Sequence, residues 1–256
     1  ELLVSILKKY DSIKSTDGEP LIEKLQALAV SMNNITLQSY VHFFKGGIMG
    51  SRQEYPEAIE EFNKAVQILE PLNDKIRLTD CYNSIALIYV QQDRDAEALN
   101  YYLKSLKLAE ETGQEREQVL IMFNMGVVYH GQGDSERALG CFKKAQEYFE
   151  RIGEFVTLTM CCQNIGAILV GTERYAEAMP WYLKALDLAN KTGDQPLIAA
   201  LSSNVGLVDL HEGDTDSAIA NYYKALEITE KLGDKQGLIA PLINLGEAYT
   251  FKKDYI

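Results

Sequence analysis

The sequence predicts an all-α solenoid of antiparallel helix pairs, on three observations. Ala58, Ala98, Ala138, Ala178 and Ala218 lie forty residues apart, and Gly46, Gly126, Gly166, Gly206 and Gly246 hold one offset of the same period. An aromatic follows each Ala by four residues (Phe62, Tyr102, Phe142, Tyr182, Tyr222), and a small residue comes three later (Ala65, Ser105, Ala145, Ala185, Ala225). Within one period, apolar residues recur at helical spacing in two segments, most clearly at 119–129 and 135–152. A fixed period of this length marks helical units that bury a continuous core only by stacking on their neighbours.

The elements follow in order. Residues 1–34 predict a degenerate N-terminal helical pair or cap, with helices at 2–13 and 20–32 and Pro20 suited to a first helical position. Residues 35–256 predict five full repeats, at 35–73, 74–113, 114–153, 154–193 and 194–233, and a truncated sixth whose first helix runs from about 234 to 251. Gln92-Asp93-Arg94-Asp95, Gly131-Gln132-Gly133-Asp134 and their equivalents place turns near 52, 92, 132, 172 and 213, so each pair folds back as a hairpin. Gly113, Gly153, Gly193 and Gly233 end the second helices, where a left-handed cap favours a residue without a Cβ; Asn33 and Asn73 take the other two places. The repeat glycine, with Ala86 standing in once, lets the first helix approach its partner closely. The initial Glu1 and a final Lys252-Lys253-Asp254-Tyr255-Ile256 that matches the start of a second helix predict a piece of a longer chain.

Gly126, Tyr129, Ala138, Phe142 and Ala145, and again Asn164-Ile165-Gly166, Ala178, Tyr182 and Ala185, resemble the tetratricopeptide repeat. The usual unit is about 34 residues; the longer period is similar to the form found in kinesin light chains, Pins/LGN-type adaptors and the sensory regions of bacterial signalling proteins. The resemblance implies a right-handed superhelix that binds a protein or peptide segment in a concave groove, without catalysis of its own. It also implies the sensory or regulatory region of a larger bacterial signalling protein, with a linked effector domain beyond Ile256. A stand-alone assembly scaffold is one alternative, and the regulatory part of a histidine kinase or nucleotide cyclase is another.

Charge and composition narrow the partners. A net charge of −12 disfavours nucleic acid and anionic membrane surfaces, which are bound through clustered Lys and Arg. Lys64, Lys104, Lys144, Lys184 and Lys224 recur, but with acidic neighbours they read as a solvated face. No apolar run is long enough to span a bilayer. Cys81, Cys141, Cys161 and Cys162 form neither a disulfide framework nor a CxxC site, and His42, His130 and His211 have no second ligand at metal spacing, so no metal or cofactor is predicted. Free thiols point to a cytoplasmic location, an extracytoplasmic sensor being the alternative.

Gly46-Gly47-Ile48-Met49-Gly50-Ser51 has the glycines of a phosphate loop, but no strand precedes it and packing accounts for Gly46. Asp93-Arg94-Asp95 and Asp214-Thr215-Asp216 lack the distal Glu of a calcium loop and read as helix caps, as do Asp134 and Asp254. No Ser-His-Asp or Cys-His set is brought together by the repeat.

One constellation exceeds scaffold: Asn124, Asn164, Asn204 and Asn244 each precede a repeat glycine by two residues, with Ser84 in the equivalent earlier place. Two residues are about 200° apart on a helix, so a glycine facing its partner helix turns the Asn toward the groove. Val127, Ala167 and Leu207 share that face three residues on, and Phe123, Gln163 and Ser203 precede the amides. These ten residues (Asn124, Asn164, Asn204, Asn244, Phe123, Val127, Gln163, Ala167, Ser203, Leu207) are the expected peptide-binding groove, because an amide donates and accepts and so suits a peptide backbone of any sequence. The competing reading is that each Asn bonds within the stack. Chaperone-binding relatives clamp a terminal carboxylate with basic residues, and Asp80, Asn83, Leu120, Phe123, Met160, Gln163, Ala200 and Ser203 hold those positions here.

Overall fold

The computed structural model describes residues 19–252. Twelve helices are found among them and no strand: α1 (Glu19–Ser31), α2 (Ile35–Ser51), α3 (Tyr55–Leu69), α4 (Lys75–Gln91), α5 (Asp95–Glu111), α6 (Glu115–Gly131), α7 (Ser135–Ile152), α8 (Phe155–Gly171), α9 (Tyr175–Thr192), α10 (Gln195–His211), α11 (Thr215–Leu232) and α12 (Ile239–Lys252). The turns fall where the sequence places them, at 52–54, 92–94, 132–134, 172–174 and 212–214. The expected helix at 20–32 is α1; the one at 2–13 lies outside the described residues.

The chain divides into two compact units, 1–121 and 122–256. In unit 1, the α2–α3 and α4–α5 pairs build their cores around Ala58, Phe62, Ala65, Leu69, Cys81 and Ile85. In unit 2, Ala218, Tyr222, Leu245 and Ala248 form the equivalent cluster. All five repeat alanines are fully buried, as are Ser105 and the four alanines equivalent to it. Ser105 is polar yet satisfied: its hydroxyl donates to the Thr79 carbonyl at 2.8 Å, joining α5 to α4.

Four of the repeat glycines, Gly46, Gly126, Gly166 and Gly206, lie under the aromatic of their own pair. A Cβ at Gly166 would meet the Tyr182 ring at 2.7 Å, and at Gly206 the Tyr222 ring at 2.8 Å; at Gly46 and Gly126 it would meet the Phe62 and Phe142 rings at 3.0 and 3.1 Å. The glycine-rich run 46–51 sits inside the continuous helix α2, as packing predicts.

Turn chemistry departs from expectation in one respect. Asp74, Asp134, Asp194 and Asp214 cap their helices by accepting the backbone N–H three residues on. Asp93 does not cap: it takes a left-handed conformation at φ 56°, and Arg94 holds the cap position without a side-chain cap bond, pairing instead with Glu97 at 2.6 Å. Arg174 and Glu177 repeat that pair. Asp254 lies outside the described residues.

Left-handed residues stand not only between pairs (Asn33, Asn73, Gly113, Gly153, Gly193, Gly233) but also within them (Gln53, Asp93, Gly133, Glu173, Gly213). The backbone therefore repeats its turn every twenty residues, half the sequence period.

Candidate groove on the first helices

With glycine on the packed side, helical geometry sets the other faces. The positions six and two before it, and one after, lie 100–160° away. In unit 1 these are Asp80, Ser84 and Leu87 on α4; in unit 2, Met160, Asn164 and Ala167 on α8 and Ala200, Asn204 and Leu207 on α10. The geometry leaves them open. Leu87, Val127 and Met160 keep 40%, 43% and 44% of their surface, and the four ladder asparagines are half-buried.

The ladder is not uniform. Asn164 donates from Nδ2 to the Met160 carbonyl at 2.9 Å, a bond to its own preceding turn. No such bond is formed by Asn124, Asn204 or Asn244 among the described residues. Gln163, Ser203, Ala167 and Leu207 are half-buried and border the amides.

Phe123 stands apart from its expected place. It is 8% exposed and packs edge-to-face on Phe142 with centroids 5.2 Å apart. The reason is angular: three residues before the glycine is only about 60° from the packed side. A large apolar ring there turns inward, and Phe43 does the same against Phe62 at 5.5 Å in unit 1. Phe123 belongs to the pair core, not to the open face.

Unit 1 holds a feature the sequence did not single out. A hollow of about 1090 Å³ opens between α2, α4 and the first turns of α6, lined by Tyr40, Phe43, Leu87 and Leu120 together with Asp74, Arg77, Asp80, Asn83, Arg116 and Glu117. Asp80 reaches solvent yet is surrounded by protein, as befits the floor of a concavity. Burial there, with the Glu117 charge adding to it and Arg77 only partly offsetting, pushes its carboxyl up to about 6. The Asn83 Oδ1 is buried without a hydrogen-bond partner. The available signal was a charge at a position that holds Tyr40, Leu120, Met160 and Ala200 elsewhere.

The thiols are poor nucleophiles. Burial pushes Cys81 and Cys161 up to about 12 and Cys162 to about 11, and all four cysteines are free. Among the described residues, no group of three or more His, Cys, Asp or Glu is placed to hold a metal, and no helix is long and apolar enough to cross a membrane.

Fold and face together define an all-α array of helix pairs with an open face on the first helices. The Tetratricopeptide repeat family model matches residues 40–111, 82–151, 115–191 and 197–256, and the chain belongs to that family. No curated protein matches the sequence significantly. Among solved structures, BtubC (BKLC) from P. vanneervenii is 20% identical over 90% of this chain and 92% of its own, with a TM-score of 0.75. The apo form of RapI is 16% identical over 99% of this chain and 71% of its own, TM-score 0.85. NprR in complex with its cognate peptide NprX is 18% identical over 98% and 72%, TM-score 0.65.

Proposed function

We propose that this chain is a peptide-interaction module, and that the first-helix face of unit 2 holds an extended segment of a partner through Asn124, Asn204 and Asn244, with Asn164 contributing its carbonyl oxygen. The observation that carries this reading is the half-buried row of amides, three of them without a hydrogen-bond partner among the described residues, beside exposed apolar side chains. Such groups lose free energy when covered unless the covering chain pairs with them. A peptide backbone offers the matching N–H and C=O at every residue. The likeness to a peptide-bound structure supports the same reading.

In its setting the module is read as the regulatory region of a larger bacterial signalling protein acting in the cytoplasm, working by binding and not by catalysis. The test is a screen of the chain against a displayed library of random decapeptides, followed by titration of the selected sequences. Micromolar or tighter binding, weakened by Asn204→Ala with the fold intact by circular dichroism, supports the assignment. Failure of every library member to bind would sink it.

A further inference from the structure

The hollow of unit 1 is rich in acceptors and short of free donors. Arg77 is engaged by Asp74 and lies over the Tyr40 ring, 4.6 Å from its centroid, and Arg116 has an interaction of its own. Asp80 and Glu117, contributed by neighbouring first helices, form no ion pair or hydrogen bond among the described residues. Asn83 adds a buried acceptor three residues, nearly one turn, after Asp80. Around them Tyr40, Phe43, Leu87 and Leu120 supply apolar walls.

We propose that this hollow takes the Arg or Lys side chain of a bound peptide: the cationic head bonds Asp80, Glu117 and Asn83, and its methylene stem lies along Leu87 and Leu120. The inference rests on the reading of the chain as a peptide-interaction module, takes nothing from the face of unit 2, and adds the chemistry of the residue recognised. A guanidinium or ammonium presents several N–H donors and no acceptor, which complements three acceptors at one place. The stem fits because long cationic side chains bury their carbons while their heads stay polar. Holding Asp80 where its charge is disfavoured costs the free protein stability, and a bound cation offsets that cost.

The charged groups facing Asp80 are Asp74 at the cap of α4, Arg77 on α4, and Arg116 and Glu117 on α6; the lining residues on α2 and α3 carry no charged side chain. Binding therefore strengthens as pH rises through about 6 and Asp80 ionises.

The probe is an array of decapeptides of alternating Leu and Ser, with Arg, Lys, citrulline, norleucine or Glu at one central position, titrated in EDTA. Arg and Lys peptides are expected to bind about tenfold tighter than the citrulline and norleucine peptides. The double variant Asp80→Asn/Glu117→Gln erases that preference while still binding, and Asp80→Asn alone removes the gain in Arg-peptide affinity between pH 5 and 7.5. Peptides bound without cation preference, or a preference that survives in the double variant, overturn this inference and leave the general reading standing. A preference that appears only when EDTA is replaced by calcium identifies a metal site and likewise overturns it. Absence of binding by any peptide overturns both.

Discussion

Units 1 and 2 are packed from the same parts and differ on the face those parts leave open. In both, a small residue on the first helix meets an aromatic on the second, and buried alanines close the pair. On the open face, unit 1 places Asp80, Glu117 and Arg77 around a hollow whose wall includes the inward-set Asn83, whereas α8 and α10 in unit 2 place neutral amides among Met160, Ala167 and Leu207. The contrast separates two kinds of selection on one helix. Positions facing the partner helix are held to a few shapes by close packing, while those 100–160° away are under no such constraint.

The largest effect expected is at the packed positions. Gly166→Leu or Gly206→Leu drives a side chain into a fully enclosed ring and lowers the melting temperature by roughly 5–10 °C, for overpacking of about 3 kcal/mol in a chain of this length. Gly246 holds the same repeat position, but nothing among the described residues lies within 4 Å of its Cβ direction. Gly246→Leu should therefore leave the melting temperature nearly unchanged. Equal losses at 166 and 246 would show that the glycine serves the helix itself and not the ring.

Next comes the open face of unit 2. Asn164→Ala with Asn204→Ala weakens peptide affinity by about tenfold at little cost in stability, each lost bond being worth about 0.5–1.5 kcal/mol. Asn204 should account for most of it, because the Asn164 Nδ2 is already spent on the Met160 carbonyl. A melting transition displaced by the pair, with affinity intact, would return the ladder to the scaffold.

A smaller effect, of opposite sign, is expected in unit 1. The Asp80 carboxyl stands near 6 in the folded protein against an ordinary 3.8, so folding binds its proton more tightly than the unfolded chain does. Its charge destabilises the fold above about pH 6, and the cost disappears below about pH 4, where both states are protonated. Asp80→Asn should thus raise the melting temperature at pH 7.5 by about 2–4 °C, solvent at the mouth screening the rest, with no gain at pH 3.5. A loss of stability at neutral pH would mean that the carboxylate is well paired.

The smallest change is Lys184→Ala, which removes a partly exposed pair with Glu150 worth under about 1 kcal/mol and shifts melting by no more than about 3 °C, less in high salt.

The helix pairs were legible in the sequence because Ala, aromatic and a small residue, glycine in four pairs and Ala86 in one, must meet at fixed distances, and a forty-residue period prints that demand five times. Three things were not. The turns at Gln53, Asp93 and Glu173 carry no glycine, so their left-handed backbone is written only in the fold. Phe123 neighbours an open-face Asn in sequence, yet its ring volume is accommodated only by turning toward Phe142. Asp80 is marked by its repeat position as one of the groove residues that replace a carboxylate clamp, whereas Glu117 reads as one more charge on an acidic chain; lining one hollow is what brings the two within electrostatic reach of each other.

The turn that returns every twenty residues has an evolutionary corollary. Each reversal of the chain looks alike to the backbone, so a stretch of one helix and one turn could be gained or lost without a break in geometry. Its parity, however, would be wrong. Every helix downstream would exchange inner and outer roles, sending Ala and aromatic to the open face and amides into the core. An array of this kind is thereby restricted to growing by whole pairs, and its open face lengthens in quanta of one first helix.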